Sequence, residues 1–298
     1  MFSGIGAPEE ALRQMAVEHE IQFACDCDSR ARDSYLNNFS PKAFFRNIRE
    51  LPQGLYNIDL LVFGFPCQPF SLAGRRTGLE DPRGQLVFDA IDILNKTQPL
   101  YFIAENVKGL TKQDSGKCLR KILRLFRRSG YKVRYKVLNL LDFGIPQHRE
   151  RLWIVGIRKD QKRNFKFPNN RISFIPLKKI LDKKANKVFY ASKSLLSKDK
   201  VQKRLKNYNN EYINCITQTI ARNGSSSEYV SYIAAINKAV GQKRKPTPEE
   251  CLRLFGFSSK FKFPQSSSLT SKYNQLGNTM PVPVLKSILR KLYGICSD

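Results

Sequence analysis

The 298 residues, 41% hydrophobic and 11% aromatic, are enough to bury one large core or one large and one small, which excludes a disordered tail. Lys and Arg number 52 against 25 Asp and Glu, a formal +27 with a sequence pI near 10.0, so the natural partner is a polyanion, nucleic acid ahead of an anionic membrane. No apolar run approaches the roughly 18–20 residues of a membrane span, no secretory signal opens the chain, and seven cysteines with only His19 and His148 beside them fit a reduced, cytosolic, metal-free protein.

In chain order, Phe2-Ser3-Gly4-Ile5-Gly6-Ala7-Pro8-Glu9 is a glycine turn opening a helix with Pro early. Such a turn suits a nucleotide-like cofactor, although Gly-x-Gly turns are common. The apolar run Ile21–Cys25 predicts a strand ending at Asp26, where an acid either accepts hydrogen bonds from ribose hydroxyls or caps the strand. Leu60–Phe65, Tyr101–Ala104, Val133–Leu138 and Leu152–Ile157 predict further strands, and Leu86–Leu94 and Leu119–Phe126 carry helical periodicity. Near-continuous apolar strands alternating with helices mean an α/β fold with a mostly parallel sheet covered on both faces. Chemistry in such sheets sits outside the carboxyl ends of the strands.

Three segments fall at such ends. In Phe63–Ser71 a buried strand meets Pro66, which cannot continue a ladder, so the chain turns out of the sheet at Cys67. Taken alone, a Cys there is at least as often a buried small hydrophobe. The stretch Leu72–Gly84, with Gly74, Gly78, Arg75, Arg76 and Arg83, reads as a basic loop able to close over a phosphate backbone. Glu105 ends the strand of Ile103–Val107, a place where an ordinary solvated acid is equally common. Arg149 and Arg151 precede the strand Leu152–Val155 and, being two apart, point to one face if extended. By themselves they would pass for a surface charge run.

From about Lys159 to Lys243 lysines crowd in, hydrophobic periods shorten, and Asn223-Gly224-Ser225-Ser226-Ser227 marks a loop, so a second, smaller and more basic domain is expected. A helix then starts at Thr247-Pro248-Glu249-Glu250, with Thr as N-cap, Pro at the first helical position and Glu three residues after the cap. Leu252, Leu254 and Phe255 give it an apolar side, and Gly256 stops it.

Taken together and in order, these segments resemble the DNA (cytosine-5) methyltransferase family of bacteria and phages across almost the whole chain. FSGIG at 2–6 is similar to the cofactor loop, PCQPFS at 66–71 to the nucleophile loop, ENV at 105–107 to the carboxylate motif and QHRER at 147–151 to the Q-x-R-x-R motif. KPTPEECLRLFGF at 245–257 and QLGNTMPV at 275–282 are similar to the two closing motifs.

The resemblance implies a Rossmann-like catalytic domain over 1–158 and 272–298 and a small target-recognition domain over 159–271. It implies S-adenosylmethionine as methyl donor, released as S-adenosylhomocysteine, with no metal. Phe2, Gly4, Ile5 and Gly6 would line its pocket, Asp26 and Cys27 would sit at the ribose, Asn47 and Ile48 at the adenine, and Asn278 near the methionine end. Cys67, presented by Pro66, would be the nucleophile, Glu105 would bond the N3 and amino edge of cytosine, Arg151 its O2, and Arg149 would orient the loop or grip a phosphate. Ser71, Arg75, Arg76, Gln147, Arg222 and Asn223 would contact DNA. The implied partner is double-stranded DNA, met by a cytoplasmic monomer that is paired functionally with a restriction endonuclease or works alone. A transfer-RNA-modifying branch shares the catalytic residues, and a nucleic-acid binder with impaired catalysis is the third reading.

The residue types follow from the chemistry. Carbon 5 of cytosine is too weak a nucleophile to attack a methyl sulfonium unaided, and a thiolate adding at carbon 6 turns the ring into an enamine. A cysteine, with a pKa of ~8.5, supplies a usable thiolate fraction. Two features depart from the family pattern. Only Met1 stands before Phe2, where the family has a full hydrophobic strand, so the sheet is expected to lack most of its first strand or the natural start lies upstream. Asn47 stands where the family commonly has Asp.

Overall fold

A computed structural model describes residues 1–51, 57–65, 82–169, 171–221 and 226–295, the side chains of 82–85 excepted. In chain order the elements are α1 (Ala7–Gln14), β1 (Ala24–Cys25), α2 (Ser29–Leu36), β2 (Phe44–Phe45), β3 (Leu60–Phe63), α3 (Pro82–Thr97), β4 (Tyr101–Val107), α4 (Lys117–Arg128) and β5 (Tyr131–Asn139). There follow β6 (Gln147–His148), β7 (Glu150–Arg158), α5 (Lys193–Leu196), α6 (Asp199–Lys206), β8 (Ile213–Asn214), α7 (Ser227–Val240), α8 (Pro248–Leu254), α9 (Leu269–Gly277) and α10 (Val282–Tyr293). The fold class is α/β, as the alternation of strands and helices predicts.

The main sheet has the order β3-β4-β7-β5. The strands β3, β4 and β5 run the same way, and β7 runs against them, paired antiparallel to both β4 and β5. Residues 140–149 alone join β5 to β7, too short a link for a parallel crossover, so this pair closes as a hairpin. Alternation along the strands builds two cores. Phe63, Phe102, Ala104 and Ile154 belong to one, with Val87 and Leu94 of α3 and Phe126 of α4. Ile103, Trp153 and Val155 belong to the other, with Ala11 of α1 and Leu285 and Ile288 of α10. The result is a helix–sheet–helix sandwich whose carboxyl edge carries Gly64, Glu105 and the residues that follow.

Strands β1 and β2 form a separate parallel pair. Among the described residues, 1–3 run between β1 and β3: the Met1 nitrogen donates to the Val62 carbonyl at 2.8 Å and the Ser3 amide to the Cys25 carbonyl at 2.9 Å. The pair β1·β2 and the main sheet are separate sheets. Gly6 then turns the chain into α1 with φ 85°, and a Cβ at this position would lie 2.4 Å from the Phe39 ring. Only glycine meets both demands.

Within 159–271 the buried side chains, among them Phe165, Ile213, Tyr232 and Phe255, join the same core as those of α1 and α10. The short parallel pair β6·β8 stitches this region to the start of β7. No helix among the described residues is long and apolar enough to cross a membrane. The predicted start of α8 is present as a full capping box, with Pro248 in the first turn and the Thr247 side chain accepting from the Glu250 amide. Phe255 is its C-cap, and Gly256 follows at φ 81°.

Glu250 does more than cap. Its carboxylate, wholly buried, accepts both Arg244 guanidinium nitrogens at 2.7 Å, the Thr247 amide at 2.8 Å and the Asp182 amide at 2.7 Å. It ties α8 to two loops of the basic region. Removing one member of a buried pair leaves the other charged and dry. Glu250→Ala is therefore expected to lower unfolding stability by about 3–5 kcal/mol in urea titrations; a loss under about 1 kcal/mol, the range of exposed pairs, would contradict this account of the joint.

Candidate active site

Glu105 leaves β4 on the α1/α10 face of the sheet, two residues beyond Ile103. Across the ladder Arg151 opens β7 on the same face, and its Nε lies 3.1 Å from Glu105 Oε1. Both side chains keep a little exposure, 14% and 15%, so the pair sits at a mouth rather than in the core. Burial pushes the Glu105 carboxyl above the ordinary carboxylate range, against the opposing pull of Arg151 and Arg149. At the end of β3, a Cβ on Gly64 would come 2.9 Å from Met280 Cε and 3.5 Å from Glu105 Oε2, so a glycine here keeps the space beside the carboxyl open.

Arg149 and Arg151 diverge. Arg151 faces Glu105, whereas Arg149 is buried to 2% exposure. Its guanidinium donates to the Ile216 carbonyl at 3.0 Å, the Thr279 carbonyl at 2.9 Å, the Gly277 carbonyl at 3.4 Å and Cys215 Sγ at 3.3 Å, and it stacks on the Phe255 ring at 4.9 Å. The expected grip on a phosphate is corrected here, because the group is enclosed and its hydrogen bonds go to the protein. Gln147, expected at the DNA surface, is corrected for the same reason. It is fully buried, donating to the Leu254 carbonyl at 2.8 Å and accepting the Ile216 amide at 3.1 Å.

A cavity of about 720 Å³ opens beside Glu105 and is lined by Phe2, Gly4, Gly64, Asn278 and Thr279 among others. That volume lies within the usual range of small-molecule sites, roughly 300–1,000 Å³. Asp26 stands beside it, its Oδ2 accepting the Gly4 amide at 2.7 Å and its Oδ1 the Asp28 amide at 3.0 Å. Burial raises the Asp26 carboxyl in spite of these two bonds. The remaining residues expected at the cofactor stand further back. Ile5 and Gly6 are buried at the start of α1, Ile48 is buried in the α3/α4 core, and Cys27 and Asn47 are exposed, none of them on the cavity wall. Asn47 uses its Oδ1 to cap a short turn, accepting the Arg49 amide at 3.1 Å.

Pro66, Cys67, Ser71, Arg75, Arg76, Arg222 and Asn223 lie outside the described residues. What precedes the first of them is held firmly: Asn106, buried, donates from its Nδ2 to the Phe65 carbonyl at 3.1 Å. Asn106 went unnoticed in the sequence as a positioning residue, although its place directly after the strand-end Glu105 was the available signal. Cys215 was missed too. Its thiol would be raised by burial, but Arg149 and Arg151, the latter 3.6 Å away, outweigh that and bring it below its ordinary value. Nothing in its local sequence announces this, since both partners come from 64 or more residues away. Among the described residues there is no cluster of His, Cys, Asp and Glu suited to a metal ion.

Comparison with known proteins bears on this geometry. A profile of the family described as C-5 cytosine-specific DNA methylase matches residues 1–294. The type II methyltransferase M.NgoBI of Neisseria gonorrhoeae is 35% identical over 309 aligned positions, covering 100% of this chain and 92% of its own. The type II methyltransferase M.HaeII of Haemophilus aegyptius is 34% identical, with 97% and 90% covered. Among solved structures, a DNMT2 variant of Spodoptera frugiperda superposes with a TM-score of 0.76 at 22% identity, covering 98% of each chain, a likeness of fold.

If Arg149 is an internal clamp, its loss must be felt without any nucleic acid present. Arg149→Met strands the Ile216 and Thr279 carbonyls and is expected to cost about 1–3 kcal/mol of unfolding stability. An unchanged urea midpoint, with only DNA affinity reduced, would return Arg149 to the phosphate-binding role.

Proposed function

The chain belongs to the C-5 cytosine-specific DNA methylase family, and from that premise we propose that it moves the methyl group of S-adenosylmethionine to carbon 5 of a cytosine turned out of duplex DNA, through a transient bond to Cys67. It is a DNA cytosine-5 methyltransferase with type II relatives. The observation that carries the proposed mechanism is the Glu105–Arg151 pair on the cavity shared by Phe2, Gly4 and Asn278.

The residues present fit the donor. A Cβ on Gly4 would meet nothing within 4 Å, so the backbone there is open to a ligand, and Asp26 is already fixed by two amides with carboxylate lone pairs to spare for ribose hydroxyls. Phe2 and Gly4 would hold one end and Asn278 the other, while Cys27, Asn47 and Ile48 remain proposed neighbours of the ribose and adenine on sequence alone. When bound, S-adenosylmethionine supplies an electrophilic methyl carbon.

The protein's own steps are these. The Cys67 thiolate forms a bond to carbon 6, the C5=C6 electrons shift to C4=C5, and the C4=N3 electrons take a proton at N3 from Glu105. Burial raises the affinity of the Glu105 carboxyl for a proton, against the pull of Arg151 and Arg149. Arg151, already aligned with the carboxyl, donates to O2 and orients the ring. Once carbon 5 carries its methyl group, a base removes the carbon-5 proton, C5=C6 re-forms, sulfur leaves as thiolate, and the N3 proton returns to Glu105. Arg149 and Gln147 position this edge from behind. A stacked base cannot reach such a site, so it must be flipped at a cost of roughly a few kcal/mol.

Basic surface offsets that cost. In the proposed target-recognition region, 159–271, Lys183, Lys184, Lys187, Lys193, Lys198 and Lys200 are all exposed. Ser71, Arg75, Arg76, Arg222 and Asn223 remain proposed DNA contacts on sequence alone. The setting that suits these features is a monomer acting on DNA in the cytoplasm of a bacterium or phage-infected cell, with a restriction endonuclease as functional counterpart.

Labelled S-adenosylmethionine offered with duplex DNA and with tRNA tests the reading. Label is expected on carbon 5 of DNA cytosine, and Cys67→Ser is expected to abolish transfer while DNA binding persists. Preference for tRNA, or turnover by the serine variant, would overturn the substrate and the mechanism respectively.

A further inference from the structure

The outer face of α4 carries a charge pattern that methyl transfer at the Glu105–Arg151 edge does not use. Lys117, Arg120, Lys121, Arg124, Arg127 and Arg128 are all exposed, and no Asp or Glu shares the helix with them. Spacings of three and four residues place them in one stripe. Among the described residues one carboxylate comes within ion-pair distance of any of them, Asp114 at 3.9 Å from Lys117 Nζ. Beyond the helix the Lys159 amide donates to the Gly130 carbonyl at 2.9 Å, and exposed Lys159 extends the stripe.

Helix stability does not account for this pattern. Like charges three and four residues apart oppose one another. The helix dipole favours Arg127 and Arg128 in the last turn but disfavours cations at the start, where Lys117 and Arg120 stand. A lipid surface does not account for it either. A membrane-bound helix inserts its apolar side, and here Leu119, Ile122, Leu123 and Phe126 are already buried against the sheet. The complement of such a face is a row of phosphates. From Lys117 to Arg128 it is about 16 Å long at ~1.5 Å per residue, and that length of duplex carries about ten phosphates.

The stripe also looks away from the reacting edge. α4 packs with Phe63, Phe102 and Ala104 on one side of the sheet, whereas Glu105 and the cavity open on the α1/α10 side. Strand β5, which follows α4, runs the same way as β4, so the helix leads back from the carboxyl edge. Arg124, Arg127 and Arg128 therefore lie toward the opposite end of the sheet. We propose that the outer face of α4 is a second nucleic-acid surface, on which these six side chains hold the phosphate backbone of a duplex segment separate from the one at the Glu105–Arg151 mouth. Contacts of this kind touch no base edges, so they hold DNA of any sequence.

The test mixes the 298-residue protein with donor- and acceptor-labelled short duplexes of about 14 base pairs, and reads energy transfer across about 50–200 mM salt. Transfer appears when one protein, monomeric by sedimentation, holds two duplexes. The combined variant Arg120→Gln, Lys121→Gln, Arg124→Gln and Arg128→Gln is expected to weaken the second duplex at least about tenfold and to lower its salt slope by about 3–4. Its kcat and KM on a single short duplex should stay within about twofold of the unsubstituted protein. A charge-matched control, Lys183→Gln, Lys184→Gln, Lys187→Gln and Lys200→Gln, should keep the second duplex. In the unsubstituted protein the second duplex should shield Lys117 and Lys121 from acetylation. Equal loss in the control, retention of both duplexes by the α4 variant, or unshielded Lys117 and Lys121 would each overturn the proposal. So would loss of methylation on the single short duplex, which would put the stripe in the reacting cleft, or tighter binding of phosphatidylserine vesicles than of DNA. The duplex count itself does not depend on methyl transfer.

Discussion

A guanidinium sealed from water has to find acceptors, and Arg149 finds them in segments far apart along the chain. The carbonyls of Ile216, Gly277 and Thr279 all converge on it, and Phe255 stacks against its plane. Residues after β8, the end of α9 and the start of β7 are thereby fixed to one point. Arg151, two residues on, inherits its position from that point. The ladder between β4 and β7 then brings Glu105 to meet it. The Glu105–Arg151 edge thus rests on a buried charge whose hydrogen bonds go to the protein.

The same economy recurs at Arg244 and Glu250, where a second buried pair fixes α8 against the basic region. Both clamps surround a buried guanidinium with several acceptors, the condition under which buried ions persist, although Arg149 Nε is left without one. Glu105 differs. It has a guanidinium on one oxygen, partial access to the cavity, and a raised carboxyl. Under the proposed mechanism it is this partial exposure to the cavity that sets Glu105 apart from the two enclosed clamps.

Much of this could be read from the residues. Strand positions followed from apolar runs, and the α8 start followed from Thr247-Pro248-Glu249-Glu250 because capping is local chemistry. The two-residue spacing put Arg149 and Arg151 together, but spacing says nothing of depth. Which arginine would be enclosed depended on Phe255, Ile216 and Thr279, contacts more than sixty residues away. Gln147 misled for the same reason, a polar residue in a charged run whose partners are Leu254 and Ile216. The antiparallel course of β7 was likewise invisible in apolar runs, which carry no direction.

Cys67 lies outside the described residues, and the proposed mechanism rests on it. The most direct measurement offers the protein duplex DNA in which the target cytosine carries fluorine at carbon 5, together with S-adenosylmethionine. Fluorine cannot leave as a proton does, so the covalent species accumulates. Peptide mass spectrometry should find the DNA attached to Cys67. An adduct at another residue, or none from protein that methylates ordinary cytosine, would contradict the account.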